Sequence, residues 1–258
     1  MMKEDFNAIV KVYTVVLLAI MLLFVPSCKK STPGSSSEET KQQNTDKVKA
    51  EADKTDTPPF ELVPLDIKLP KPMFVGTPQN IQVPNLEKPL GRPRPPFLAP
   101  AGTENVAFGK PVASSDEEPI IGEIEMITDG DKEGTDGSYV ELGPFLQNIT
   151  IDLGSEYEIY AVLFWHFHKQ AHAYFDVVVQ VADDPDFIKN ARTLFNNDHD
   201  NSSGLGVGSD MHYVETSEGK LIDAKGTKAR YVRLNSNGNS SNDLNHYIEV
   251  EVFGKPAK

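Results

Sequence analysis

Ala229-Arg230-Tyr231-Val232-Arg233-Leu234, a polar loop from Asn235 to Asn245, then His246-Tyr247-Ile248-Glu249-Val250-Glu251-Val252-Phe253-Gly254 is the stretch whose reading decides the fold. Two alternating runs are joined by Asn, Ser and Gly. In the second run Ile248, Val250 and Val252 share one face, and Glu249, Glu251 and Phe253 share the other. A period of two predicts a half-buried strand rather than a helix. This last strand is expected to close a domain.

The same pattern recurs upstream. Ile149-Thr150-Ile151-Asp152-Leu153 alternates and stops at Gly154. Tyr160 to His168 puts Val162, Phe164, His166 and His168 on one face and Leu163, Trp165 and Phe167 on the other. Tyr174 to Ala182 lines up Phe175, Val177, Val179 and Val181, then meets the turn signal Asp183-Asp184-Pro185. Only Asp186–Leu194 has the pattern of a short helical turn. Short strands separated by Gly, Asp, Asn and Pro predict an all-β jelly-roll sandwich over residues 101–258. A domain of that size buries roughly 70% of its extended-chain surface and needs neither metal nor disulfide merely to fold.

The 258-residue chain carries 38 Asp+Glu against 25 Lys+Arg, and no local basic patch offsets the excess, which disfavours nucleic acid as a partner. A single cysteine excludes an internal disulfide. Lys3 and Lys11 precede an apolar run, Val12 to Val25, shorter than the roughly 20 residues that span a bilayer. It suits a signal-peptide core. The run ends Val25-Pro26-Ser27-Cys28, which resembles a bacterial lipobox and sets a signal peptide over residues 1–28 with Cys28 as the acylated residue. The other reading is an uncleaved signal anchor beginning near Lys11. Either way the expected location is the bacterial cell envelope, membrane-anchored, and several acyl chains on Cys28 would make the tether stable. Residues 29–100 are expected to be a linker, first disordered (Lys29 to about Thr57), then proline-rich and extended. The proline-rich part also carries Phe60, Leu62, Ile67, Met73, Phe74, Val75, Ile81 and Val83, more apolar residues than a bare spacer needs. Part of Phe60–Pro100 is therefore expected to lie along the surface of the following domain.

Five stretches in order resemble a discoidin domain, the coagulation factor V/VIII type C fold. They are Asn105 to Ser115, the loop Ile127-Thr128-Asp129-Gly130-Asp131, Ile149 to Gly154, Ala229 to Leu234, and Ile248 to Gly254. The resemblance covers nothing before about residue 100. It implies a galactose-binding-like sandwich used mostly for binding: glycans in family 32 carbohydrate-binding modules, phospholipid or protein elsewhere. Tyr139 and Asn148 stand near positions where the family often has Trp.

The acidic loop Asp129 to Ser138 reads two ways, as a calcium loop or as a solvated acidic turn, since hard cations want several oxygens from a flexible loop. It is not an EF-hand: position twelve falls on Val140 and the glutamate comes one later, at Glu141. Calcium-binding discoidin relatives share the ion between this loop and the first Glu of the closing strand. By that resemblance Asp129 is a side-chain ligand, Asp131 and Met126 offer carbonyls, Ser138 or Thr135 a hydroxyl, Glu249 completes the site and Ile248 adds a carbonyl. The ion expected is a structural Ca2+.

Trp165-His166-Phe167-His168-Lys169-Gln170-Ala171-His172-Ala173-Tyr174 holds three histidines. Imidazoles at i and i+2 can share zinc; the plainer reading is a hydrogen-bonded strand end. A third follows from the resemblance, in which this strand end and loop grip sugar hydroxyls. His166 and Ala173 fall where galactose- and fucose-binding relatives place arginines, so their ligand preference does not carry over. The candidate glycan residues are His166, His168, Lys169, His172, Tyr174, Asn237, Asn245 and His246. The long loop Asn196 to Asp210 has a Gly-x-Gly-x-Gly that lies between no strand and helix, which argues against nucleotide binding. Loops this long are often functional, and Asp198 and Asp200 are either a second cation site or a hydrogen-bonded surface loop. No nucleophile elbow or singular acid–base pair supports catalysis. The expected function is a non-catalytic, membrane-anchored carbohydrate-binding module that captures a polysaccharide or surface glycan. The alternatives are an adhesion module with a protein partner and a metal-dependent enzyme built on the histidines. The sequence leaves the oligomeric state open.

Overall fold

The computed structural model describes residues 60–73 and 81–257. The expected signal peptide, Cys28, and the expected disorder up to Thr57 lie outside the described residues. By contacts the chain divides into Met1–Thr55 and Asp56–Lys258, and all that follows concerns the second unit.

That unit is all-β, with no α-helix among the described residues. Its strands are β1 (Leu62–Pro64), β2 (Leu98–Pro100), β3 (Glu104–Asn105), β4 (Val112–Ser114), β5 (Val140–Leu142), β6 (Gln147–Trp165), β7 (Val178–Ala182), β8 (Arg192–Asn196), β9 (Lys220–Ser236), β10 (Asn245–Tyr247) and β11 (Glu249–Pro256), with one 3-10 turn at Ile124–Thr128. The main antiparallel sheet runs β3-β11-β6-β9-β7-β8, with β4 also paired to β6. β5 and β10 form a separate two-stranded layer. Both layers feed one core, in which Val140, Leu142 and Tyr247 pack with Ile149, Ile151, Val232, Leu234 and Val250. The Tyr247 hydroxyl closes the join with a hydrogen bond to Ser236 Oγ (2.9 Å).

Periodicity explains most of this and a slip explains the rest. Ile149, Ile151, Leu153 and Ile159 of β6 point into the core; after a register shift between Ile159 and Ala161 the inward positions become Val162 and Phe164. One extra residue in a strand turns every later side chain to the opposite face. Ala161, Leu163 and Trp165 thereby join Phe253 and Ile248 in a second cluster on the outer face of the sheet. Ile248 is thus parted from Val250 and Val252, because β11 begins only at Glu249.

The proline-rich segment covers that outer face. Leu65, Ile67 and Phe97 pack on the second cluster. β1 pairs with β2, Leu62 opposite Pro100. Leu86 bridges His212, and the Glu87 amide donates to His212 O (2.7 Å). Arg94 clamps the Glu218–Gly219 turn through Nη2 to Glu218 O (2.7 Å) and Nη1 to Gly219 O (2.9 Å). The folded unit therefore takes in residues before the expected boundary at 101. Its closing strand is not half-buried, since Glu249, Glu251 and Phe253 are buried as well as Val250 and Val252. No helical turn forms over Asp186–Leu194 either. Asp184 accepts the amides of Asp186, Ile188 and Lys189, Phe187 and Asn190 take positive φ, and the chain goes directly into β8.

Candidate functional site

His166 continues β6 on its core face and has no exposed surface; Tyr174 stacks on it with ring centroids 4.1 Å apart. The Phe167 amide donates to the Tyr174 hydroxyl, which lies 3.0 Å from His246 Nδ1, and His246 Nε2 lies 3.0 Å from Glu141 Oε2. One proton arrangement satisfies all three contacts: Tyr174 donates to Nδ1 and Nε2–H donates to the carboxylate. Burial, with His166 and His172 nearby, pushes His246 down to about 4, so the ring is neutral at pH 7. A second chain joins Tyr213, His166 and the buried Glu215 at 3.2 and 3.3 Å. Burial raises the Tyr174 and Tyr213 hydroxyls well above the ordinary tyrosine range.

The structure does not present the eight expected glycan residues as one surface. His166, Tyr174, Asn245 and His246 are enclosed, and His168 is buried with Nε2 on Lys132 O (2.7 Å). Lys169, His172 and Asn237 keep partial exposure, and Asn237 Nδ2 is committed to Asp176 Oδ2 (2.8 Å). The strand pattern hid this. The strand ends at Trp165, so His166 and His168 do not share a face: Tyr174, Tyr213 and Glu215 cover His166, and the Lys132 backbone covers His168, which lies in a turn. A fully enclosed tyrosine and histidine offer no substrate a path, so the network packs as a buried polar cluster, in which His166 Nε2 alone of that ring's nitrogens is left without a partner.

The acidic loop meets Glu249 through its backbone. Gly130 N donates to Glu249 Oε2 (3.1 Å), while Oε1 is buried without a partner. Burial first, and then Glu251 and Asp129, raise the Glu249 carboxyl to about 9 against the pull of the Gly130 amide. Beside it Lys132 Nζ bonds Glu251 Oε1 and sits 5.2 Å over the Trp165 ring. An enclosed carboxyl oxygen without a partner, on a side chain that touches the acidic loop, fits a hard cation. The rest of the expected ligand set is turned to other work. Met126 O accepts the Asp129 amide, Asp129 Oδ1 accepts Asp131 N, Asp131 Oδ1 accepts Glu133 N, Ser138 Oγ faces Thr135 Oγ1, and Ile248 N donates to Trp165 O.

Among the described residues, the one place where three His, Cys, Asp or Glu ligand atoms lie within 4.8 Å of one another is Asp176, Asp198 and Asp200, a group that could hold a metal ion; Asp129 and Glu249 belong to no such group. Asp198 and Asp200 were legible in the sequence; Asp176, which enters from before β7, was not. Burial opposes ionisation of Asp198, but the hydroxyl and amide of Ser203 and the amide of Ser202 outweigh it and hold the carboxyl below the usual range.

The loops at the β6 N-terminal end are tied by one side chain. Buried Asn245 donates to Gly143 O and Phe145 O (both 2.9 Å) and accepts from Gly238 N (2.9 Å). Asp116 Oδ2 accepts from Gly143 N (2.7 Å) and Gln147 Nε2 donates to Pro144 O (3.1 Å). Within this frame Phe145 holds φ +69° and is 79% exposed. A non-glycine residue held there costs on the order of 1–3 kcal/mol. Nothing in the residue types of Gly143-Pro144-Phe145 marks it out.

No family model matches the chain, and no curated protein is a significant match. Among solved structures it is similar to a family 89 glycoside hydrolase from Clostridium perfringens, at 20% identity and TM-score 0.43, covering 59% of this chain and 15% of that one. It is also similar to chitosan-binding module 1 of a chitosanase/glucanase from Paenibacillus sp. IK-5 (20%, TM-score 0.42, covering 58% and 99%). A third is a Streptococcus pneumoniae fucose binding module (19%, TM-score 0.42, covering 60% and 99%). This chain thus spans a small part of the hydrolase and nearly all of each module. Likeness at this level carries no ligand or activity to the chain.

Proposed function

We propose that the chain is a non-catalytic glycan-binding module, tethered to the bacterial envelope through lipid on Cys28, with a Ca2+ ion bracing the Asp129 loop against Glu249. The observation that carries the binding reading is the tied loop end. Asn245, Asp116 and Gln147 fix the backbone of Gly143–Phe145, and a rim rigid before its ligand arrives loses little entropy on binding. The non-catalytic reading rests on the enclosure of Tyr174, His166 and Glu215. Ca2+ would neutralise Glu249, whose partnerless Oε1 is the observation that supports an ion there. The expected result on a glycan array is retention of the full chain by a restricted set of polysaccharides. Uniform absence of binding across plant, algal and host glycans would shift the reading to a protein partner. The exposed Leu62, Met73, Leu90 and Leu98 of the proline-rich segment favour that alternative.

A further inference from the structure

Phe145 is the least economical residue of the fold. Its ring adds almost nothing to the core, and its backbone occupies the left-handed region that favours glycine. Stability alone would place Gly or Asn there. Yet the carbonyls of Gly143, Pro144 and Phe145 itself are each held by a side chain, from Asn245 or Gln147. The strain is thus held in place by its surroundings and aims a flat apolar ring into solvent. Strain maintained in this way, at an exposed position, points to a function at that position.

The surroundings narrow the ligand. The ring stands on a rim shared with the loop that starts at Asp116, whose carboxylate holds Gly143, and with the loop that Asn245 closes at Gly238. Glu117, Glu118 and Asn242 are exposed on those neighbouring loops. An aromatic plane flanked by hydrogen-bond acceptors matches a pyranose, whose C–H face is apolar and whose edge carries hydroxyls. From Asp116 to Asp136 the sequence has nine carboxylates and one lysine, and that lysine is committed to Glu251. A polyanion brought to this rim would be repelled.

We propose that Phe145 is a stacking platform for a sugar ring of a neutral or amine-bearing glycan. This rests on the glycan-binding reading and gives it a place, the tied rim rather than the enclosed histidines. The test uses the full chain, its Phe145→Gly and Phe145→Trp variants, and insoluble chitin, chitosan, cellulose and calcium alginate as probes, with the melting temperature of each protein measured alongside. The wild type is expected to be retained by at least one of the first three and not by alginate. Phe145→Gly should lose more than about tenfold in affinity, the scale of one aromatic stack, while melting at the same or a higher temperature. Phe145→Trp should keep binding. A binding loss that came with a lower melting temperature would mark Phe145 as structural and overturn the proposal. So would undiminished binding by Phe145→Gly, or preferential retention on alginate. Absence of wild-type binding to every probe would instead remove the glycan reading itself, and this inference with it.

Discussion

Truncation to residues 101–258 is expected to leave a unit that melts at least 10 °C lower than one that begins at residue 56, or that fails to melt cooperatively. The reason is the outer face of the main sheet. Trp165, Leu163, Ala161 and Phe253 are buried there, and Leu65, Ile67 and Phe97 supply half of the partly buried side chains packed on them, the others being Tyr139, Phe167 and Leu221. Fully burying a large apolar side chain contributes roughly 1.5–3 kcal/mol; Leu65, Ile67 and Phe97 are partly buried, and with the fully buried Leu163 and Trp165 that truncation would uncover they account for about 5 kcal/mol. That is a large share of the 5–15 kcal/mol typical of a domain, and for a unit of this size each kcal/mol moves the midpoint by roughly 2–4 °C. Phe97→Ala and Arg94→Ala should each give part of the loss. Phe97 removes buried area, whereas Arg94 releases the clamp on Glu218 and Gly219. If the truncated unit melted within 2–3 °C of the longer one, on the same scale, the segment would be a passenger and not part of the fold.

The closing stretch shows what a sequence pattern can and cannot convey. Val250 and Val252 alternate with Glu249 and Glu251, and that alternation told correctly that a strand was present and which face met the main core. It could not tell that the acidic face is buried too. What covers Glu249 and Glu251 is the Gly130–Lys132 loop, far away in sequence, and what covers Phe253 is the proline-rich segment. Long-range cover of this kind leaves no local periodicity. His166, His168 and His246 are enclosed for the same reason, while His172 keeps partial exposure. The candidate rim was missed for a different one: Phe145 matters through a backbone angle and three side-chain hydrogen bonds, none of which has a residue-type signature. The resemblance pointed to Glu249 and the Asp129 loop together; the structure brings the Gly130 amide, not the Asp129 side chain, onto Glu249.

That contact sets the second large effect. Without a bound cation, the folded protein is expected to lose about 3 kcal/mol of stability as pH rises from about 6.5 to about 9. Glu249 has a folded pKa near 9 against an ordinary 4.5, raised by burial and then by Glu251 and Asp129. Between those values the folded state keeps a proton that the unfolded chain has given up, so raising the pH favours unfolding. His246 acts in the opposite sense below 6.5, since its folded pKa lies near 4 and acid costs the fold stability there. Burial lowers His172 and His212 as well, so between about 4.5 and 6.5 the histidines outweigh Glu249 and stability rises with pH; above that range Glu249 is left alone. Two and a half units at about 1.4 kcal/mol each give the magnitude. Glu249→Gln should make stability level across pH 6.5–9 in chelator. Saturating Ca2+ should do the same for the wild type, because the ion takes the place of the proton on the enclosed carboxylate. Urea unfolding at pH 6.5, 7.5 and 9, with chelator and with Ca2+, measures all of this. A wild-type stability that stays level without cation, or a decline that survives Glu249→Gln, would show that Glu249 is not the group that titrates. A decline that Ca2+ leaves untouched would show that the orphaned Oε1 of Glu249 is not a calcium ligand.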